Sequence, residues 1–495
     1  MPNPGTPERP LTVAVVGAGP SGFYAVEALL KAPGLNVRVD LFDRLPTPYG
    51  LVRGGVSPDH QKIKSVTVVY ERTALDPRVR FFGNVKLGRD LTVEELRARY
   101  DKIIYAVGCE SDRHMEIPGE GLAGSYSATE FVGWYNGHPD HRHRTFDLSC
   151  GAAAVIGVGN VAMDVTRLLA CDPEILSKTD ITDHALDALR KSGVRTVWLL
   201  GRRGPAEAAY SSAEIEEIGE LSTADLVIEP AEAVVDEVSQ AELADPVVKK
   251  KVAYVQKHAA HGEGSKAKKI RLRFRVSPAE IVGENGRVKA LRIEKNKLVA
   301  DGKGGVKSAG TGEFETLPVG LVLRSVGYRG IPIPGVPFDE KAGRIANAAG
   351  RVTDGPGGAP LAGEYVVGWA KRGPSGLIGT NRADSVATVA LMLEDWKAGK
   401  FPDRAVDAAP DATPKLLAAK GATLVTFAQW KDLDKLELAG GAAHGKIREK
   451  FTRVEDMLAA LGIASRSASA APGSGESASS TSSASDPLLD GSTAA

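Results

Sequence analysis

Two groups of glycines in this chain are spaced to hold a pyrophosphate. In Val13-Ala14-Val15-Val16-Gly17-Ala18-Gly19-Pro20-Ser21-Gly22 an apolar, β-branched run stops at a glycine cluster, and apolar residues at helical spacing follow. In such a strand–turn–helix, Gly17 allows the turn, Gly19 lets backbone approach a pyrophosphate, and Gly22 lets helix and strand pack closely. The helix then offers free N–H groups and the positive end of its dipole to phosphate. A second apolar run, Val37 to Phe42, ends in Asp43, where an acid can accept a hydrogen bond from a ribose 2′-hydroxyl. The other group is Gly157-Val158-Gly159-Asn160-Val161-Ala162, the GxGxxA form, after the apolar run Ala152 to Ile156. Its next strand, Arg195 to Leu200, ends in Gly201-Arg202-Arg203-Gly204 rather than in an acid. Guanidinium forks match phosphate bidentately, so Arg202 and Arg203 are either a selector for the 2′-phosphate of NADP or a surface pair at a turn. An insertion with its own helix, Asp172 to Gly193, stretches the usual spacing.

Other residues suit a flat cofactor. Leu45 to His60 is dense in Gly and Pro and reads as loop. It follows the second strand, where a flavin nucleotide would extend its rings, and Leu51 suits packing against them. His60 precedes a helix-like segment, Ile63 to Thr73, and is either a hydrogen-bonding residue at the helix start or a group near the cofactor. Tyr365 to Asn381 ends a strand in a glycine-rich loop, and Ala383 to Trp396 continues as helix. A helix N-terminus aimed inward there would stabilise a negative flavin edge. Trp369 offers a flat face to a ring or is a core tryptophan. The histidines of His138-Pro139-Asp140-His141-Arg142-His143 lack a cysteine or carboxylate cluster to complete a metal site, so they read as solvated loop and no metal is expected.

The elements that must position these residues are parallel strands. Lys102 to Gly108 is a buried parallel strand ending in glycine. Val319 to Gly327 resembles it, and the two read as crossover points between a discontinuous first domain and an inserted second one. Val79 to Gly88 predicts two short strands, and Leu91 to Tyr100 a helix with Thr92 as N-cap and Glu95 completing a capping box. Residues 222–316 are poor in periodic signal. Within them Lys249-Lys250-Lys251 and Lys266 to Arg275 are basic. The second run alternates in part, as a half-exposed strand does, and is either a solvated face or a docking patch for an acidic partner.

Composition narrows the function. Basic and acidic residues balance at 62 each, which argues against a general nucleic-acid binder. Cys109, Cys150 and Cys171 show no CxxC spacing, so no disulfide redox centre, iron–sulfur motif or zinc knuckle is visible. No apolar run approaches the ~18 residues of a membrane span, and the start of the chain lacks signal-peptide character. A cytoplasmic location is expected.

The segments VVGAGPSGFYA, PYGLVRGGVSPDH, FVGWYNG, GVGNVAMD, LLGRRGP, LVLRSVGY and GWAKRGPSGLIGTN occur in the order seen in adrenodoxin-reductase-like ferredoxin–NADP+ reductases, and the chain resembles that family from about Leu11 to Ile463. The resemblance implies an α/β fold of two Rossmann-like, glutathione-reductase-type domains, one inserted in the other. Residues 1–110 and 326–463 (the latter with a helical appendix, Thr413 to Leu461) would bind FAD, 111–325 NADP(H), and 464–495 would be a disordered tail. It implies FAD contacts at Ser21, Asp43, Leu51, Leu87, Trp369 and Gly376-Leu377-Ile378. NADP contacts would be Gly157, Val158, Gly159, Asn160, Arg202, Arg203, Glu214 and Gly376. His60 matches the family's active-site histidine, and with Glu214 would tune the nicotinamide site. Hydride would pass from NADPH to flavin, and single electrons onward to an acidic iron–sulfur ferredoxin. A flavin monooxygenase and a non-catalytic NADPH sensor share parts of this pattern. A disulfide reductase and a glutamate-synthase small subunit need cysteines that are absent.

Overall fold

The strand Leu11–Val16 is buried along its whole length and lies inside a seven-stranded sheet. The structure is a computed structural model describing residues 4–302, 304–376, 378–403 and 406–464. Leu11–Val16 pairs in parallel with Val37–Phe42 on one side and Lys102–Tyr105 on the other. Strands buried on both faces need apolar side chains throughout, which is why these segments read as near-continuous apolar runs. Pro360–Val366 arrives from far along the chain to pair in parallel with Lys102–Tyr105. A six-stranded sheet takes all its strands from between these parts, in the order Ser125–Ser127, Leu321–Arg324, Ala152–Ile156, Thr196–Gly201, Lys268–Phe274, Ala224–Ile228. The second α/β unit is therefore inserted in the first. Each glycine turn feeds a helix, Pro20–Leu30 in one unit and Asn160–Ala170 in the other.

Several local expectations are revised. Only Val79–Phe82 forms a strand before Gly88; Asn84 then adopts φ 61°, and Gly83 bridges Val425 instead. The next helix is Val93–Arg97, shorter than expected, with the Thr92–Glu95 capping box formed. Leu51–Gly54 is a short helix inside the expected loop. The helix expected from Ile63 to Thr73 breaks into Gln61–Lys64 and Thr67–Ala74, where the hydroxyls of Ser65 and Thr67 donate to the carbonyls of Lys62 and Lys64. The insertion holds two helices, Pro173–Leu176 and Asp183–Arg190. The later helix begins at Ile378, not Ala383.

The weakly periodic region contains an antiparallel sheet of Val276–Glu284, Arg287–Ala300 and Val306–Pro318. Its outer strand is mostly exposed on both faces, so no alternation marks it. The basic strand Lys268–Phe274 lies inside the six-stranded sheet. Ile270, Leu272 and Phe274 are buried, and its cations are neutralised within the fold: Lys269 on Asp225 (2.7 Å), Arg271 on Glu263 (2.6 Å), Arg273 on Glu232 and Glu315. It is neither a solvated face nor a free docking patch. Lys251 is likewise buried, donating to the carbonyls of Ala208 and Tyr210. The last helices, Ala412–Ala419, Phe427–Ala443 and Val454–Ala460, complete the first core: Trp430 is buried edge-on to Tyr49 at 5.8 Å. Of the expected tail, 465–495 lies outside the described residues.

Candidate functional site

The first glycine turn leaves room for a ligand where the fingerprint asks for it. Gly17 has φ +110°, and a Cβ there would lie 2.4 Å from the Ala106 carbonyl oxygen. A Cβ on Gly22 would lie 2.0 Å from the Gly17 carbonyl oxygen, so Gly22 serves packing under the turn. A Cβ on Gly19 would meet nothing nearer than Gly50 Cα at 3.9 Å. Gly19 caps Pro20–Leu30 with no side-chain bond, which leaves the first-turn N–H groups open to an anion. Asp43 holds the turn to the end of the second strand, Oδ2 accepting from Ala18 N–H at 2.9 Å and Oδ1 from Leu45 N–H at 3.0 Å. Each oxygen keeps a lone pair for a hydroxyl donor. Burial raises this carboxyl to about 6. Ser21 Oγ sits where a Cβ on Gly368 would fall, 2.0 Å away, so the first helix and the strand end before Trp369 touch there.

The second turn repeats this design. Gly157 has φ +119°, its Cβ position 2.4 Å from the Ser325 carbonyl oxygen, while that of Gly159 meets nothing within 4 Å. Gly159 caps Asn160–Ala170 without a side-chain bond. Val158 carbonyl accepts from the N–H groups of Ala209 and Tyr210, and Asn160 Oδ1 from Ser211 N–H at 2.9 Å, so the chain after Arg202 and Arg203 is tied to the turn. Arg202 is exposed. Among the described residues the Arg203 guanidinium makes two long bonds, to the carbonyls of Val306 (3.5 Å) and Glu207 (3.4 Å). Neither guanidinium has a carboxylate partner among the described residues.

Both turns open into one cavity of about 2070 Å³. Pockets for a single small ligand span roughly 300–1,000 Å³, so this one has room for two dinucleotides. Of the sequence-predicted residues, Gly17, Gly19, Ser21, Asp43, Leu51, His60, Leu87, Gly157, Val158, Gly159, Asn160, Arg202, Arg203, Glu214, Trp369, Gly376 and Ile378 line it. Gly22 does not, and Leu377 lies outside the described residues. Trp369 packs on Tyr328 at 5.3 Å and donates its Nε1–H to the Ser375 carbonyl. Gly376, at φ +80°, lies two positions before the first residue of helix Ile378–Lys397.

Between the turns lies a charged cluster that sequence reasoning reached only at His60 and Glu214. His60 Nε2 is 2.9 Å from Glu217 and its Nδ1 3.6 Å from Asp164. Arg167, buried on Asn160–Ala170, donates to Asp59 through Nε (2.8 Å) and Nη2 (3.0 Å), to Asp164 (2.6 Å) and to Glu214 (3.1 Å). Burial and then the Asp164 charge raise Glu214 to about 7; burial also raises Asp164. Burial would raise Asp59 as well, but the Arg167 fork holds it at about 2. His60, Asp164 and Glu214 present atoms within 4.8 Å of one another, yet Arg167 already supplies their positive charge. The missed Asp164 and Arg167 carry a faint signal: they follow the predicted Asn160 at spacings that put all three on one helix face.

The expected solvated histidine loop is exposed at Asp140 and His143 but half-buried at His138, His141 and Arg142. Pro139–His141 is a 3₁₀ turn, and His138 lies under Gly54 on the cavity wall. Burial pushes His138 down to about 4. Asp140 pairs with Arg44 (2.7 Å), which also holds Glu110 (2.9 Å).

No family model matches the chain. It is 45% identical over 463 residues to the NADPH-ferredoxin reductase FprA of Mycobacterium tuberculosis, covering 91% of this chain and 99% of that protein. It is 41% identical over 473 residues to the mitochondrial NADPH:adrenodoxin oxidoreductase of Homo sapiens, covering 92% and 93%. The fold superposes on Mycobacterium tuberculosis FprA in complex with NADPH with a TM-score of 0.85, at 43% identity, over 92% of this chain and 100% of that one.

Proposed function

Since the chain belongs to the adrenodoxin-reductase-like family of NADPH–ferredoxin reductases, we propose that its large cavity is where a reduced nicotinamide meets a flavin. The protein is an FAD-dependent oxidoreductase that moves electrons between NADPH and a ferredoxin. The observation that carries the reading of the site is that two glycine-lined helix N-termini without a side-chain cap face one cavity.

The residues fit the cofactors. FAD, when bound, supplies the exchange between a hydride pair and single electrons. Gly17, Gly19 and the start of Pro20–Leu30 take its pyrophosphate, Ser21 lies beside them, and Asp43 accepts from a ribose hydroxyl. Leu51, Leu87, Trp369, Gly376 and Ile378 surround the rings, and the Ile378–Lys397 N-terminus offers positive potential to their polar edge. Gly157, Val158, Gly159 and Asn160 hold the NADP pyrophosphate, and Arg202 and Arg203 its 2′-phosphate. His60 and Glu214 stand at the nicotinamide end, where Glu214 near 7 can hold or release a proton. We assign FAD to 1–110 with 326–463 and NADP to 111–325. No helix among the described residues is long and apolar enough to cross a membrane; the finer reading, a cytoplasmic location, is tested by cell fractionation.

Purified protein should be yellow, and should reduce the host's ferredoxin with NADPH far faster than with NADH. A colourless protein that binds NADPH without passing electrons would contradict this reading.

A further inference from the structure

One buried guanidinium joins the two halves of the molecule at the nicotinamide end, and neither cradle uses it. Arg167 is 3% exposed. Its fork grips Asp59, next to His60 in the first unit, while its other N–H groups reach Asp164 on its own helix and Glu214 on Ser212–Gly219. Glu217, 3.5 Å from Nη1, also holds His60. Arg167 and Asp59 do not line the cavity, whereas His60, Asp164 and Glu214 do. The guanidinium therefore sits behind the groups that face the ligand and touches their supports.

We propose that Arg167 is a positioning residue: it fixes the His60 loop of the flavin unit against the carboxylates of the NADP unit, so that His60 and Glu214 meet the nicotinamide in one geometry. This rests on the reading that those two residues face the nicotinamide. A planar fork with two bonds to one carboxylate fixes orientation as well as distance, which an ammonium cannot do. Small misplacement at a reacting centre costs rate rather than affinity.

The test uses the FAD-loaded protein with Arg167→Met, Arg167→Lys, Asp59→Asn and His60→Gln. In Arg167→Met the limiting rate of flavin reduction by NADPH should fall at least about tenfold, with NADPH affinity changed by less than about threefold. Arg167→Lys should restore little of it. Asp59→Asn should act in the same direction and not add to Arg167→Met. Hydrogen exchange without NADPH gives a readout apart from activity. The amides of His60, Ile63 and Lys64, bonded within this loop, should exchange faster while those of Leu11–Val16 do not. A wild-type reduction rate in Arg167→Met, full rescue by Lys, or faster exchange throughout the protein overturns the proposal. If His60→Gln also reduces at the wild-type rate, the underlying reading of the nicotinamide end falls; if His60→Gln is slow and Arg167→Met is not, only the clamp falls.

Discussion

Arg202 and Arg203 stand beside the second cradle with their charge unclaimed by any described carboxylate, whereas most other arginines of that unit are paired. Charge-assisted bonds are worth about 1.5–3 kcal/mol each, so replacing both with Ala should weaken NADPH binding by about a hundredfold or more and leave NADH nearly unaffected. Equal losses for both, read from KM or direct titration, would remove their phosphate role. Glu214 makes a pH prediction. Its carboxyl titrates near 7 in the fold against an ordinary 4.5, so the folded state binds that proton more tightly. The stability it contributes is complete below about 4.5 and is lost as pH rises through about 7. Glu214→Gln cannot ionise, so its melting temperature should gain on the wild type as pH rises across that window; a constant difference would contradict the buried, raised carboxyl. The arginine pair was legible because it occupies a fixed place after a strand. The Arg167 cluster was not, because its carboxylates come from three separate segments that only the fold brings together.

At the scale of elements, the two turns make separable predictions. Ala at Gly17 or Gly157 meets both a left-handed φ and a carbonyl at 2.4 Å, a strain of about 1–3 kcal/mol before any ligand is counted. Gly17→Ala should purify with little FAD, while Gly157→Ala should keep its flavin and lose NADP+ affinity; flavin absorbance and calorimetric titration distinguish them, and loss of flavin from Gly157→Ala would contradict the assignment of cradles. A second tie spans the units. Asp180 lies between the buried ammoniums of Lys64 (2.8 Å) and Lys450 (2.9 Å), and burial pushes Lys450 down to about 7. Asp180→Asn leaves two buried cations without their counter-charge, so urea unfolding should show a loss of about 3–5 kcal/mol; less than about 1 kcal/mol would mean that the tie is not structural. The parallel strands and glycine turns were legible because burial on both faces writes an unmixed apolar run. The antiparallel sheet of 276–318 was not, since an outer strand exposed on both faces has no side to alternate toward, and Lys268–Phe274 misled because its charges are paired inside the fold.

For the whole molecule, the order of segments in the chain already carried the architecture. Two strands, Lys102–Tyr105 and Leu321–Arg324, each followed three residues on by a glycine at positive φ, stand where one unit gives way to the other. What the chain order did not reveal is that the last helices close the first core, or that two buried ionic ties, Arg167 with Asp59 and Asp180 with Lys64 and Lys450, join the units. The central claim is that NADPH and FAD share this cavity closely enough for direct hydride transfer. Anaerobic stopped-flow mixing of the FAD-loaded protein with NADPH tests it most directly. The flavin absorbance should bleach without ferredoxin present, and ferredoxin added afterwards should be reduced as the colour returns; tight NADPH binding with no bleaching would contradict direct transfer.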